Sequence, residues 1–246
     1  MQRAAAVAAS KAARTRIQAA AAHRADAIPT SMHERNPSFD AAVGRLLTRS
    51  ERTLVWVADH IDGVRMPDLP HDKRLQLAGG CFHTAIEHGQ AIVVLTQEKC
   101  FGSALALQRP LAEAFSRGLW LLHSATDKQI DAAGEDSFPR NKDIIESLRS
   151  DGVTLPYLDN GLWSTLCSYA HTGYQQIGAR LSPEGLKSNY RLHEIQQALR
   201  SSDMTQLASA IELAAAAGQE VLSLTILQRL RAYDQQDRER QKPRDG

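Results

Sequence analysis

The amino-acid sequence predicts an all-α protein, a single helical bundle of about six to eight helices. From residue 39 onward, apolar side chains recur at spacings of three and four residues, which is the period of a helix rather than the alternation of a strand. Apolar residues make up 43% of the chain and charged residues 23%, as in a soluble globular protein. A chain of 246 residues can bury a sizeable core in one domain without a disulfide or a metal.

Composition divides the chain into three parts. Residues 1–36 form an Ala-rich arm and a linker that we expect to lie outside the core, and residues 1–28 contain five basic side chains and one acidic one. Residues 37–233 form the predicted helical-bundle domain. Residues 234–246 are polar and charged, with no apolar residue except Pro243, and predict a disordered tail.

Long helices are predicted first. The apolar face of residues 39–61 ends at Asp62-Gly63, a pair that favours a turn. A second helix is predicted over 72–98, with one apolar side. A third is predicted over 101–124. Pro110 inside it removes a backbone donor and clashes with the preceding turn, so we expect a break there.

Helices of varied length are predicted in the second half of the chain. Residues 127–152 predict one or two short helices that cap an end of the bundle, and residues 159–181 predict one continuous helix. Residues 182–185, Ser-Pro-Glu-Gly, predict a turn. A short helix over 190–199 and a long helix over 204–233 follow, the latter with Gly218 in a seam of small residues. No segment gives a convincing strand signal.

Several classes of protein are disfavoured by what the sequence lacks. No apolar run is long enough to span a membrane, so we expect a cytoplasmic protein with no membrane partner. The cysteines Cys81, Cys100 and Cys167 are odd in number and far apart, which indicates reduced thiols and no disulfide-linked partner. Paired Glu-x-x-His motifs are missing, so we expect neither a di-metal centre nor another cofactor.

The main candidate for a site is a row of side chains on the third predicted helix. Spacings of three and four residues place Arg109, Glu113, Ser116, Arg117 and Trp120 on about one third of the helix circumference. A Trp is rarely left in water among charges, which favours a seam in the interior over a solvated surface. Two arginines against one glutamate leave a positive surplus that suits a phosphate, a carboxylate or another anion.

Two further polar strips border apolar faces of neighbouring helices. The first contains His83 and Glu87, and the second contains Ser164, Ser168, His171 and Gln175. In one interpretation these strips converge with the row on a polar centre that binds an anionic group. In the other, each strip meets water. The first interpretation assigns ligand binding to Arg109, Glu113, Trp120, His83, Glu87 and Ser168.

An enzymatic version of the site depends on Arg117 and His123. The pair matches the pattern of an Arg followed after four to six residues by a His, and in this the chain resembles the HEPN helical ribonucleases and toxins. The resemblance implies metal-independent RNA cleavage at a dimer interface, with Arg117 and either His123 or His171 as catalytic residues. Gly118 replaces the polar residue that often follows the Arg. Six residues of regular helix place the pair about 120° apart and ~9 Å along the axis.

Ser168 and His171 are also spaced to touch on a helix, which is an arrangement found in nucleophilic catalysis. No oxyanion hole or strained nucleophile elbow is recognisable beside them. The sequence therefore favours an anion site over a Ser–His pair.

Two segments carry a second resemblance. The first is Arg109-Pro-x-x-Glu113-x-x-x-Arg117-x-x-Trp120, and the second is Tyr169-x-His171-x-Gly173. Together they make the chain, over roughly residues 40–230, similar to a group of bacterial helical proteins of unknown function. The resemblance implies a helical fold and the same site residues, and it brings no activity.

The sequence thus predicts a bacterial helical-bundle protein with an Arg/Glu/His centre that binds an anionic group. RNA is one such ligand. If the protein is HEPN-like, we expect it to form a homodimer. The rival hypothesis is a non-catalytic scaffold or interaction protein. In that case the same residues fix the register of the helices, and the long helix over 204–233 meets a second copy.

Overall fold

A computed structural model describes residues 37–66, 71–153, 160–182 and 185–241, and it confirms the all-α prediction. The predicted arm over 1–36 lies outside the described residues. The described part has more helices than the predicted six to eight, because the stretches over 101–124, 127–152, 159–181 and 204–233 are each divided, whereas only one predicted break, at 200–203, is absent. The helices are α1 (Pro37–Ile61), α2 (Lys73–Gln97), α3 (Phe101–Ala106), α4 (Gln108–His123), α5 (Asp127–Ala133), α6 (Asn141–Ser150), α7 (Asn160–Ala170), α8 (Tyr174–Gly178), α9 (Leu192–Ala216) and α10 (Glu220–Gln241).

The first two helices follow the predicted stretches closely. After α1 the chain turns at Gly63, whose φ of 95° is a conformation that favours glycine. Helix α2 begins after Asp72, whose carboxylate accepts a hydrogen bond from the Leu75 N–H at 3.0 Å. This bond satisfies one of the free donors at the start of the helix.

The break expected at Pro110 lies between α3 and α4, at Leu107. Pro110 falls in the first turn of α4, where its missing N–H is not needed by the helix. Its ring would clash with the carbonyl group four residues earlier if α3 continued unbroken. Helix α3 therefore ends at Ala106, and α4 begins at Gln108.

The helix predicted over 159–181 is wrong as a single element, because α7 ends at Ala170 and α8 begins at Tyr174. Thr172 between them has a φ of 54°, in the left-handed region. The Ser168 hydroxyl accepts a hydrogen bond from the Gln175 N–H at 3.1 Å, and the Gly173 N–H bonds to the Ser168 carbonyl at 2.7 Å. These bonds replace the helical ones across the turn.

The last two helices also differ from the prediction, because α9 runs unbroken through residues 200–203 and ends at Ala216. Ser202 is compatible with the helix because its hydroxyl donates to the Gly89 carbonyl of α2 at 3.1 Å. Gly218 is not a seam residue. It has a φ of 69° and ends the helix, with the Gln219 N–H bonded to the Ala214 carbonyl at 2.9 Å.

Two smaller predictions are corrected as well. Helix α10 continues to Gln241, so residues 234–241 of the predicted tail are helical, and residues 242–246 lie outside the described residues. Asp234 forms an ion pair with Arg200 at 3.0 Å. No strand was predicted, but Leu181–Ser182 (β1) and Gly185–Leu186 (β2) pair as a short antiparallel hairpin at the predicted turn over 182–185.

The core lies around α2 and α9. Helix α2 packs against α4 and α9, and α9 also packs on α1 and α10. One apolar cluster fills the space around α2 and α4, including Phe82, Phe115 and Trp120. A second cluster lies between α1, α9 and α10 and includes Val57 and Ile226. Helix α9 is therefore enclosed on several sides.

A buried carboxylate joins three of these helices. Asp203 of α9 is 0% exposed, and its Oδ2 accepts hydrogen bonds from Ser50 of α1 and Tyr233 of α10, each at 2.7 Å. The Arg49 guanidinium lies 4.6 Å from the centre of the Tyr233 ring. A buried charge is costly unless it is hydrogen-bonded, so these contacts favour one arrangement of α1 and α10 on α9.

Gly118→Ala is expected to lower the free energy of unfolding by about 1–3 kcal/mol, as overpacking does in a dense core. The added Cβ would lie 2.6 Å from Cε1 of Phe82, where α4 meets α2. Gly44→Ala in α1 is the control, since nothing lies within 4 Å of its Cβ, and we expect a gain of about 0.4–1 kcal/mol. Urea unfolding measures both changes, and effects of the same sign would contradict this account of the α2–α4 contact.

Candidate functional site

The predicted row on α4 is half-buried and begins with an ion pair. The Arg109 Nε donates to Glu113 Oε1 at 2.9 Å, and the two side chains are 23% and 22% exposed. The Arg109 guanidinium also lies 5.7 Å from the ring centre of Trp163 on α7. Glu113 therefore compensates Arg109, which leaves Arg117 as the positive surplus of the row.

Arg117 stacks on an aromatic ring and has a donor without a partner. Its guanidinium lies 4.6 Å from the centre of the Phe138 ring, and its Nε is buried with no hydrogen bond. The neighbouring Ser116 donates to Asn141 Oδ1 of α6 at 2.9 Å, while Asn141 Nδ2 is also buried without a partner. Two unsatisfied donors thus come from the same contact between α4 and the start of α6.

Two other residues complete the surroundings of this row. Trp120 is 2% exposed and its ring lies 6.5 Å from Phe138, so it is part of the core rather than a surface for a ligand. Cys81 of α2 lies near Arg117. Burial raises the pKa of the Cys81 thiol, and the Arg117 charge partly opposes that rise.

The other predicted residues do not meet the row. His83 and Glu87 are exposed on α2, and His171 is exposed after the end of α7. Ser168 takes part in the turn between α7 and α8. Within the described part of the chain, no hydrogen bond or ion pair joins these side chains to those of the row.

Arg117 and His123 of the HEPN-like pattern have different neighbours. The His123 Nε2 lies 3.5 Å from Glu212 Oε2 of α9, an ion pair that requires a protonated ring, whereas Arg117 lies against Phe138. Both lie on α4, and His123 is the last residue of the helix. Within one copy of the chain they contact different elements.

A large cleft lies elsewhere, between α3 and α4 on one side, α7 on another and α9 on a third. Its volume is about 720 Å³. The apolar lining consists of Leu105, Leu111, Ala112, Leu162, Leu166, Ala198 and Met204. The polar lining consists of Gln108, Thr165, Tyr169, Gln175, His193, Glu194, Gln197, Arg200, Ser201, Thr205 and Asp234. The cleft therefore combines an apolar surface with several groups that can form hydrogen bonds.

The best-defined polar group of this cleft is the Tyr169–Glu194 pair. The Tyr169 hydroxyl donates to Glu194 Oε1 at 2.8 Å, and the Arg191 N–H donates to Glu194 Oε2 at 2.7 Å. The second bond is part of the capping box that starts α9. Burial, followed by the bond to Glu194, raises the pKa of Tyr169 well above its usual value.

Other polar groups of the cleft are also held in place. The Gln108 Nε2 donates to the Ala198 carbonyl at 3.2 Å, which joins the start of α4 to α9. Arg200 of α9 and Asp234 of α10 form an ion pair at 3.0 Å. The cleft walls from α4, α9 and α10 are thus connected by polar contacts.

The sequence did not reveal this cleft as a site. None of the residues assigned to catalysis or ligand binding lines it, and Gln175 is the one member of the predicted polar strips among the lining residues. Tyr169 lies in the Tyr169-x-His171-x-Gly173 segment, in which the sequence favours His171 as the site residue. The sequence signal for Glu194 is only that of a helix start, an acidic residue in the first turn of α9. Its contact with Tyr169 joins residues of two helices, which spacing along one helix does not predict.

The described residues contain no group of three or more His, Cys, Asp or Glu side chains arranged to hold a metal ion. The three cysteines are free thiols. None of the helices in the described ranges has the length and apolar character needed to cross a membrane.

These features define an all-α helical-bundle protein with a cleft of mixed polarity between its helices. The chain matches the model of a family of unknown function, DUF6988, over residues 82–237, and it belongs to that family. This confirms the predicted membership of a helical family of unknown function, and both sequence segments lie within the matched residues. Comparisons with curated proteins and with solved structures give no match.

Tyr169→Phe is expected to flatten the alkaline decline of stability. The folded pKa of Tyr169 is raised above the unfolded value of about 10, so its contribution is fully present below pH ~10 and is lost as the pH rises further. The wild-type free energy of unfolding should then fall by up to about 1.4 kcal/mol per pH unit more steeply than that of the variant.

Equilibrium urea unfolding at several pH values between 9 and 12 measures how steeply the free energy of unfolding falls in each protein. Tyr174→Phe is the matched control, because Tyr174 is 81% exposed and should not alter the slope. Parallel curves for wild type and Tyr169→Phe would contradict the assignment of the Tyr169 hydroxyl as a half-buried donor to the Glu194 carboxylate.

Proposed function

We propose that this protein binds a small organic molecule in the cleft between α4, α7 and α9. The observation that carries the proposal is a cavity of about 720 Å³ that has an apolar surface and the Tyr169–Glu194 pair in one place. Ligand sites in proteins are typically ~300–1,000 Å³, mostly apolar, with a few positioned polar groups. A ligand with an apolar body and a hydrogen-bonding head suits this lining.

Preorganisation of the polar groups supports the proposal. Glu194 is held by two hydrogen bonds, and the Gln108 amide is fixed by the Ala198 carbonyl. A ligand that meets fixed groups loses less free energy in ordering them than one that meets mobile side chains. The cleft therefore has the rigid polar features that give orientation and specificity.

Gln197→Trp is expected to weaken binding in the cleft by at least about tenfold, because an indole there occupies space that the ligand needs. Gln197 is an exposed residue of α9 that lines the cleft, so the fold should tolerate the change. The neutral dye Nile red serves as the probe, and its fluorescence titration gives the Kd. Gln76→Trp, on an exposed position of α2 outside the cleft, is the matched control.

Equal Nile red affinity in wild type and both variants would overturn the proposal, since binding would then occur elsewhere on the surface. Near-UV circular dichroism of each variant shows that the tertiary structure is retained.

A second candidate function, the binding of an anionic group beside α4, is favoured by Arg117. Its guanidinium has no carboxylate partner among the described residues, and its Nε and Asn141 Nδ2 are buried donors without acceptors. An anion would satisfy such donors. The enzymatic version of this candidate is the HEPN-like, metal-independent ribonuclease, with Arg117 and either His123 or His171 acting on RNA.

Arg117→Gln is expected to weaken the binding of inorganic phosphate and of a short RNA oligonucleotide by about tenfold. Arg231→Gln, an exposed position on α10, is the control. Intact RNA after incubation with the pure wild-type protein would end the ribonuclease version. If Arg117→Gln lowers only the melting temperature and leaves all binding unchanged, the residue has a structural role and the scaffold hypothesis is favoured.

A further inference from the structure

We infer that the cleft takes an organic cation, an ammonium group carried on an apolar body, with Glu194 as its counter-charge. The inference rests on the proposed function of the cleft and specifies the chemical class of its ligand. It depends on the balance of charges among the lining residues.

The charged side chains that line the cleft are Glu194, Arg200 and Asp234. Arg200 and Asp234 are paired with each other at 3.0 Å, so their charges offset one another. Glu194 is left as the negative surplus. His193, an exposed residue at the same helix start, is the remaining titratable group of the lining besides Tyr169.

The donors that reach Glu194 are both uncharged. Its two oxygens accept from the Tyr169 hydroxyl and from the Arg191 N–H, and no Lys, Arg or His side chain in the described part of the chain forms an ion pair with it. A carboxylate has about four acceptor positions, so these two bonds leave acceptor capacity. An ammonium group supplies both further donors and a positive charge in direct contact with the carboxylate.

Other head groups fit this environment less well. An anion would be repelled by Glu194, and a neutral head would form no ion pair with its half-buried carboxylate. The phenol of Tyr169 lies beside the same carboxylate, and aromatic rings attract cations. The leucines and Met204 of the lining provide the surface for an alkyl or aryl body.

A matched series of probes tests the inference: decylammonium, decanol and decanoate, each titrated calorimetrically below its micelle-forming concentration. We expect decylammonium to bind wild type about tenfold more tightly than decanol, and decanoate to bind more weakly than decanol. Glu194→Gln should remove the advantage of decylammonium and leave the decanol affinity unchanged. Glu135→Gln, an exposed residue after α5, is the control and should change neither.

The affinity for decanol also reports whether the cleft remains intact in Glu194→Gln. If that variant loses decanol binding as well, the test depends on the three probes with the wild-type protein. Added salt should then weaken the binding of decylammonium but not that of decanol, because salt screens only the charge-assisted contact. Decanol or decanoate binding as tightly as decylammonium would overturn the cationic class and leave the cleft as a ligand site. Binding of all three probes that Gln197→Trp does not weaken would overturn the cleft itself.

Discussion

The position of helix α9 is the constraint on which the rest of this structure depends, and the buried carboxylate of Asp203 is its main polar determinant. Hydroxyl groups from α1 and α10 both meet one oxygen of this side chain. These two hydrogen bonds offset part of the cost of burying the carboxylate, which for a buried charge amounts to several kcal/mol. The contacts of α9 with α2, by contrast, are close-packed, with Gly89 against Gln206. The hydrogen bonds of Asp203 and the close packing at Gly89 together determine the position of α9.

The cleft follows from that position. Helix α9 forms one wall, and its first turn brings Glu194 to Tyr169 at the end of α7. Two interruptions in neighbouring helices provide the other walls. The turn at Leu107 lets α3 and α4 each contribute to the lining, and the turn around Thr172 stops α7 just after Tyr169. A continuous helix at either place would present a different set of side chains, so the breaks in regular structure define the site.

The sequence predicts what repeats along a single helix and fails where contacts join distant residues. Periodicity predicted α1 and α2, the missing N–H and the ring of Pro110 predicted the break near that residue, and the spacing of four predicted the Arg109–Glu113 pair. The breaks at Thr172 and Gly218 were missed because the helical spacing of apolar residues in the sequence continues across both turns. Trp120 was placed in a polar seam, although it is a core residue. Tyr169, Glu194 and Gln108 were missed as a site because their hydrogen bonds connect separate helices, and spacing carries no information about such pairs.

The ion pair between Arg200 and Asp234 has a consequence for the C-terminal segment. Asp234 belongs to α10, yet it contributes to the lining of a cleft whose other walls are formed by earlier helices. A molecule that contacts both α10 and the earlier helices stabilises the packing of α10 on α9, because it binds only when the two are packed together. A ligand in the cleft should therefore slow amide hydrogen exchange and proteolysis in α10, including residues that the ligand does not contact.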